Sequence, residues 1–400
     1  MNLKEKCIVV GVTGGIAAFK TAQLVSDLVK TGADVRVVMT RAATEFVSPL
    51  TFETLTNSKV SVDTFDRMFE WDVRHISLAK AADVFIVAPA TANFIAKAAN
   101  GIADDMLSTT FLAAGCPKIV APAMNTGMLL NPATQHNIQV LRSRGIAIVE
   151  PDSGYLACGD VAKGRLAELP QLHDAIEFAL NENKDLGGLH VLVTAGPTCE
   201  PMDPVRYITN RSSGKMGYAL ARAAYMRGAR VTLVAGRTNL SAPAGVERVE
   251  VFSAQDMFDA VMARAQDADI VIKAAAVGDY RPAAVSDQKI KKSDADMKIE
   301  LVRNPDILAA LGSQKRAGQI LCGFSMETQN LVENSVAKLR KKNADIMVAN
   351  DLSSEGAGFS VDTNIVTLIT ENSARPVDLM SKAALSDVIL DQILELRLQK

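Results

Sequence analysis

No sign of charge predominates in this sequence: 43 Lys and Arg stand against 45 Asp and Glu, and neither gathers into long runs. That balance excludes a dedicated nucleic-acid or anionic-membrane surface, while small anionic ligands, which need only local charge, remain open. Cysteine is scarce. The five residues, Cys7, Cys116, Cys158, Cys199 and Cys322, are odd in number, scattered and without metal-type pairing. They exclude a disulfide framework and fit a reduced cytosol. Long apolar runs are missing as well. The N-terminus passes from Lys4-Glu5-Lys6 into only the short run Cys7 to Val12, too brief for a signal segment or a membrane span, so nothing is expected to export or anchor the chain and a cytoplasmic location is expected.

What is present is enough apolar residue, 48% of 400 positions, to fill two cores of roughly 200 residues each. The run Cys7 to Val12, then Thr13-Gly14-Gly15, then a helical pattern from Ile16 to Lys30, reads as strand, glycine turn and helix. Gly32 to Met39 and Ala82 to Ala88 read as further strands. The same grammar restarts at His190 to Gly196, with a helix from about Gly214 to Arg227 and strands at Gly228 to Val234, Ala268 to Ala274 and Ala344 to Asn350. Strands alternating with helices predict an α/β chain of two Rossmann-like parallel-sheet domains in tandem. The polar stretch Asn181 to Gly188 reads as a linker, placing the domains at 1–188 and 189–400.

In such sheets ligands sit at the carboxyl ends of strands, near helix N-termini that attract phosphate. Gly14-Gly15 suits that place, although a glycine pair equally serves any tight turn. A full G-x-G-x-x-G is lacking and Thr40, not an acid, ends the second strand, which disfavours a dinucleotide and favours a mononucleotide. Two more strand ends carry proline with small and amide residues, Pro89-Ala90-Thr91-Ala92-Asn93 and Pro122-Ala123-Met124-Asn125. Small residues leave room for a flat ring, and amides can bond a ring edge or a carboxylate.

Together with Cys158 in Ala157-Cys158-Gly159-Asp160-Val161-Ala162-Lys163-Gly164-Arg165, these segments closely resemble the flavin-dependent cysteine decarboxylases. The resemblance implies FMN held by Gly14, Gly15, Thr40, Pro89, Ala90, Thr91, Asn93 and Met124. In that family the cysteine thiol is oxidised by FMN toward a thioaldehyde, the neighbouring carboxylate leaves as carbon dioxide, and the reduced flavin returns the electrons. It further implies His75 as the active-site histidine, Asn125 as holder of the substrate carboxylate, and Cys158 as proton donor to the enethiolate. Read alone, His75 is equally a residue at the start of an apolar helix, and Cys158 a small buried hydrophobe. Ala162 and Leu129 depart from the family, which commonly has glycine and an aromatic there.

In the second half, Thr194 to Pro201 ends a strand and Arg211-Ser212-Ser213-Gly214-Lys215-Met216-Gly217 looks like a phosphate loop at a helix start. It is not a Walker loop, because Thr209 and Met216 occupy the positions of the first glycine and the Ser/Thr. This stretch, with Ala274 to Pro282, Lys289-Ile290-Lys291-Lys292, Asn304 to Leu308, Gly323-Phe324, Lys338 and Lys342, closely resembles phosphopantothenate-cysteine ligase. The order decarboxylase then ligase is similar to that of the bacterial bifunctional family. The resemblance implies activation of 4'-phosphopantothenate by CTP as an acyl-cytidylate, attack by cysteine, and decarboxylation to 4'-phosphopantetheine. Lys289, Lys338 and Lys342 are assigned to the triphosphate, the last two one helical turn apart. Ala275, Asp279, Pro305, Asp306, Ile307, Leu308 and Phe324 are assigned to the nucleotide, and Arg206 and Asn210 to phosphopantothenate, with Asn210 and Lys289 counted among the catalytic groups. Mg²⁺ is expected on phosphate and water, with no protein cage. A homo-oligomer is implied by resemblance alone, with trimeric contacts around the flavin site and dimeric ones in the ligase. Two rival readings, a tandem nicotinamide dehydrogenase and a regulatory protein on an inactive decarboxylase fold, are opposed by the missing ribose acid and by the joint presence of His75, Asn125 and Cys158.

Overall fold

The computed structural model describes residues 3–65, 73–155, 159, 161–291, 297–327, 330–351 and 361–400. Cys158 lies outside them. The chain forms two units, Met1–Glu182 and Asn183–Lys400.

The first unit has strands β1 (Cys7–Val12), β2 (Asp34–Met39), β3 (Val84–Ala90), β4 (Lys118–Pro122) and β5 (Ala147–Ile148), all parallel, in the order β2-β1-β3-β4-β5. Alternation explains why β1 is apolar throughout: Ile8, Val10 and Val12 enter one core while Val9 enters the core on the opposite face. The sheet order reverses between β1 and β3, the switch point at which sheets of this order take a ligand. A hairpin follows, β6 (Asp152–Tyr155) against β7 (Val161–Arg165), in which Ala162 faces Gly154.

The second unit begins with β8 (His190–Ala195), a short hairpin of β9 (Cys199–Pro201) and β10 (Tyr207–Thr209), then β11 (Arg230–Ala235), β12 (Glu247–Glu250) and β13 (Ile270–Lys273). It continues with the pair β14 (Tyr280–Pro282) and β15 (Leu301–Arg303), then β16 (Ile320–Glu327), β17 (Ile346–Asp351), β18 (Thr363–Ile369) and β19 (Ala374–Ser381). The main sheet runs β12-β11-β8-β13-β16-β17-β18-β19. Its pairings are parallel from β12 to β17, in Rossmann order with the switch point between β8 and β13. The last two pairings are antiparallel, so this sheet is mixed where the sequence predicts a parallel one. The turn that permits this is short, with Thr370 N–H donating to Ser373 O at 2.8 Å.

The helix after β8 is Lys215–Met226. Gly217 lets it lie directly on β8, since a Cβ there would meet Ala195 Cβ at 2.6 Å and Thr194 O at 2.8 Å. The division between units falls before Gly188, because Leu186 is fully buried in the second core and Asp185 pairs with Arg227 at 2.6 Å. Among the described residues no helix is long and apolar enough to cross a membrane.

Candidate active sites

In the first unit a cleft of about 660 Å³ opens at the carboxyl ends of β1, β3 and β4. Thr13 ties two of those ends together: its Oγ1 donates to Pro89 O at 2.8 Å and accepts from Thr91 N–H at 3.0 Å. The two glycines that follow have different reasons to be glycine. A Cβ on Gly14 would collide with Ala42 Cβ at 2.6 Å, whereas one on Gly15 would meet nothing closer than Thr91 Cγ2 at 3.8 Å. Gly14 serves packing, and Gly15 keeps the cleft floor low. The helix Ala18–Lys30 begins here without a side-chain cap, so its first N–H groups suit a phosphate.

Gly14, Gly15, Thr91, Met124 and Asn125 line this cleft. Thr40, Pro89, Ala90 and Asn93 do not. Thr40 caps the turn Arg41–Glu45 by accepting from Ala43 N–H at 3.2 Å, Pro89 and Ala90 are buried in β3, and Asn93 is exposed on the next helix. His75, half-buried in the first turn of the helix Arg74–Ala81, also stands outside the cleft of its own chain. Asn125 accepts from Gly127 N–H at 2.8 Å, capping the helix Thr126–Leu130. Leu129 is core, not cleft wall. The hairpin lies over Met124, whose N–H donates to Gly164 O at 3.0 Å. A Cβ on Gly164 would meet Met124 O at 2.3 Å, so only glycine permits the approach. Through this hairpin Tyr155 and Arg165 reach the cleft, joined by Lys20. Arg165 and Lys20 share Glu168, at 2.6 and 3.5 Å. The sequence reading left out Lys20, which lies on a helix, and Tyr155, which ends a hairpin strand outside the parallel sheet.

In the second unit two adjoining cavities, about 580 and 380 Å³, open at the switch point. Their floor is the segment after β13. Ala275 N–H donates to Thr194 Oγ1 at 3.1 Å, Gly278 N–H to Thr198 Oγ1 at 2.9 Å, and Asn210 Nδ2 to Ala276 O at 3.1 Å. Asn210, Ala275, Asp279, Phe324 and Lys338 line the larger cavity together with the first residues of Lys215–Met226. Asp279, Pro305, Asp306 and Ile307 line the smaller. Asn304 fixes that turn, donating from Nδ2 to Gly278 O at 2.8 Å. Leu308 is turned into the core, and Lys342 is ion-paired with Asp306 at the rim. Asp279 and Asp306 thus share the smaller cavity, while Lys342 lines neither and is held by Asp306.

Arg206 and Lys289 stand apart from both cavities. Arg206 Nε donates to Asp203 Oδ2 at 3.0 Å and Nη2 donates to Ile290 O at 2.8 Å. Asp203 is buried and its carboxyl is held well below the ordinary range, first by Arg206 and then by the backbone N–H groups of Val205, Ile290 and Arg206. Lys289 is exposed on the loop that this knot secures. The sequence reading missed Lys273 and Lys382, which line the larger cavity with Lys338 and with Lys215 of the expected phosphate loop. Lys273 ends a strand and was open to the carboxyl-end rule. Lys382 starts the helix Lys382–Leu398, far along the chain, where no local signal marks it. Burial lowers the pKa of Lys382, as does Lys215, while Asp362 opposes them. The cavity is thus markedly cationic, with Asp279 its only lining carboxylate among the described residues. Among the described residues no group of three or more His, Cys, Asp or Glu side chains is placed to hold a metal ion.

Residues 1–181 match the Flavoprotein family, and residues 186–396 match the DNA/pantothenate metabolism flavoprotein C-terminal domain family. The chain is 49% identical over 401 residues to the coenzyme A biosynthesis bifunctional protein CoaBC of Bacillus subtilis (strain 168), covering 99% of this chain and 98% of that protein. To the protein of the same description from Escherichia coli (strain K12) it is 45% identical over 396 residues, covering 98% of each. Among solved structures it is similar to the FMN-dependent cysteine decarboxylase SpaF, at 37% identity and a TM-score of 0.40, covering 44% of this chain and 97% of that one. Matched along nearly its whole length and in both halves, the chain belongs to the family of coenzyme A biosynthesis bifunctional proteins.

Proposed function

We propose that the second unit joins cysteine to 4'-phosphopantothenate with CTP and Mg²⁺, through an acyl-cytidylate, and that the first decarboxylates the resulting phosphopantothenoylcysteine to 4'-phosphopantetheine with FMN, in the cytoplasm. The observation that carries the ligase reading is the convergence of Asn210, Asp279, Phe324 and Lys338 on one cationic cavity at the switch point, beside the Pro305 to Ile307 turn. A carboxylate does not react usefully with an amine in water, so it must first become a mixed anhydride. Fixed cations and helix N–H groups are what hold the phosphates during that activation.

The first cleft fits FMN. Gly15 leaves its floor open, Ala17, Ala92 and Ala123 leave room for a flat ring, and the uncapped helix start suits the phosphate. Bound there, FMN would supply reversible two-electron oxidation of the substrate thiol. The chain's own residues then orient the substrate: Asn125 at the cleft holds the carboxylate, and Arg165 and Lys20 are placed for a phosphate. Cys158 gives the proton after carbon dioxide has left, since thiols as a class, with a reference pKa of about 8.5, are mostly protonated at neutral pH yet ready acids. A homo-oligomer completes the reading. Ile16, Phe19, Met128 and Tyr155 are exposed at the cleft, and an assembly covering them could bring in a His75 from another copy.

The test is to supply 4'-phosphopantothenate, cysteine, CTP and Mg²⁺ and identify products by mass spectrometry. Phosphopantothenoylcysteine and 4'-phosphopantetheine are expected in succession. A colourless protein that yields neither would defeat the proposal, and ATP serving far better than CTP would defeat the choice of nucleotide.

A further inference from the structure

Lys273 closes β13 at the switch point and lines both cavities of the second unit, so its side chain stands on the wall they share. On one side lie Asp279 and the Pro305 turn, and on the other Asn210 and the start of the helix Lys215–Met226. Its Nζ donates to Ala275 O at 3.1 Å. Among the described residues it makes no ion pair. Burial lowers its pKa, Asp306 and Asp279 oppose that, and Lys338 and Lys342 add to it. An ammonium in this balance is stabilised by any anion brought against it.

The connectivity of a nucleoside triphosphate says which anion that is. Its α-phosphorus is bonded to the nucleoside through one oxygen and to pyrophosphate through another, and it is the atom a carboxylate must attack. With the nucleoside in the smaller cavity and the acyl and pyrophosphate groups in the larger, the α-phosphoryl group lies at the shared wall. Resting on the ligase reading above, we propose that Lys273 contacts the α-phosphoryl group and steadies its non-bridging oxygens during carboxylate activation. In that step a carboxylate oxygen bonds to the α-phosphorus as the bond from that phosphorus to the pyrophosphate oxygen breaks. The electron pair leaves with pyrophosphate, and no proton moves. Charge gathered on the α-phosphoryl oxygens is what a fixed cation stabilises.

The experiment uses the full chain with Lys273→Met and Lys273→Arg. Pyrophosphate release is followed with 4'-phosphopantothenate, CTP and Mg²⁺ in the absence of cysteine. Two controls accompany it: reaction of preformed acyl-cytidylate with cysteine, and decarboxylation of supplied phosphopantothenoylcysteine. Pyrophosphate release by the Met variant should fall about 100-fold, with KM for CTP changed only a few-fold, and the Arg variant should recover part of the rate. Decarboxylation should run as in the unaltered protein, and the amine step, in which the same α-phosphoryl group leaves as part of CMP, should be slowed less than pyrophosphate release. Release at the unaltered rate by the Met variant would overturn the role, and so would a raised KM for CTP with an equal loss in the amine step, which is the pattern of a residue that merely packs the site. If the unaltered protein itself forms no acyl-nucleotide, the ligase reading fails first, a result distinct from failure of Lys273 alone.

Discussion

Asp203 is a single carboxylate on which two segments of the second unit converge. It is buried, and it accepts from Arg206, Val205 N–H at 2.9 Å and Ile290 N–H at 3.1 Å. It thereby binds the turn before β10 to the loop that carries Lys289. Asp203→Asn keeps the size but loses the charge, so the Lys289 loop should loosen and KM for CTP should rise while decarboxylation of supplied substrate is unchanged. The pH dependence has a definite sign. The folded carboxyl lies below its ordinary value of about 3.9, so its stabilisation is complete above that value and is lost as pH falls below it. Acid denaturation curves of the two proteins should differ at neutral pH and converge below about pH 4, and curves already equal at pH 7 would sink this account. Residues such as Asn210, Asp279 and Phe324 were legible in the sequence because each sits in a stretch whose neighbours identify it. Arg206 was legible only as a charge. Its partner Asp203 is only three positions away, but its bond to Ile290 O crosses 84 positions, which no local pattern announces.

At the level of elements, glycines separate packing from ligand space. Gly217→Ala gains about 1 kcal/mol of helix propensity, but its Cβ meets Ala195 Cβ at 2.6 Å and Thr194 O at 2.8 Å. Overpacking of that kind costs about 1–3 kcal/mol, and backbone cannot yield cheaply, so a net loss of stability and of ligation is expected. Gly15→Ala has 3.8 Å of clearance. It should leave the melting temperature unchanged but lower the flavin content of the purified protein, read from its visible absorbance. Full flavin occupancy in the Gly15→Ala protein would mean the cleft floor is not where flavin lies. The parallel strands were legible because burial on both faces forces continuous apolar runs, as in β1 and β8. The antiparallel pair β18 and β19 escaped notice. β18 alternates buried and half-buried residues and β19 is mostly exposed, so neither carries the apolar run that marked the other strands.

For the whole molecule, the decisive question is where one folding unit yields to the next. A polar, glycine-ended stretch reads as a linker by composition, and that reading put the boundary at Gly188. The side chains of that stretch point to an earlier boundary. Leu186 is 0% exposed within the second core, Lys184 Nζ donates to Met226 O at 2.8 Å, and Asp185 Oδ1 accepts from Arg227 Nε at 2.8 Å. Arg227, only 5% exposed, would keep Asp391, at 2.7 Å, and Asp387 O, at 3.3 Å, as partners if Asp185 were removed. A fragment 183–400 should therefore fold with the stability of the second unit, while 189–400 should lose about 2–5 kcal/mol from the missing leucine alone. Denaturant unfolding of the two fragments measures this directly, as a lower midpoint for the shorter one. Leu186→Ala in the longer fragment should reproduce much of the loss, which separates burial from chain length. Equal midpoints for all three would return residues 183–188 to the status of a plain linker, and the second core would then begin at β8.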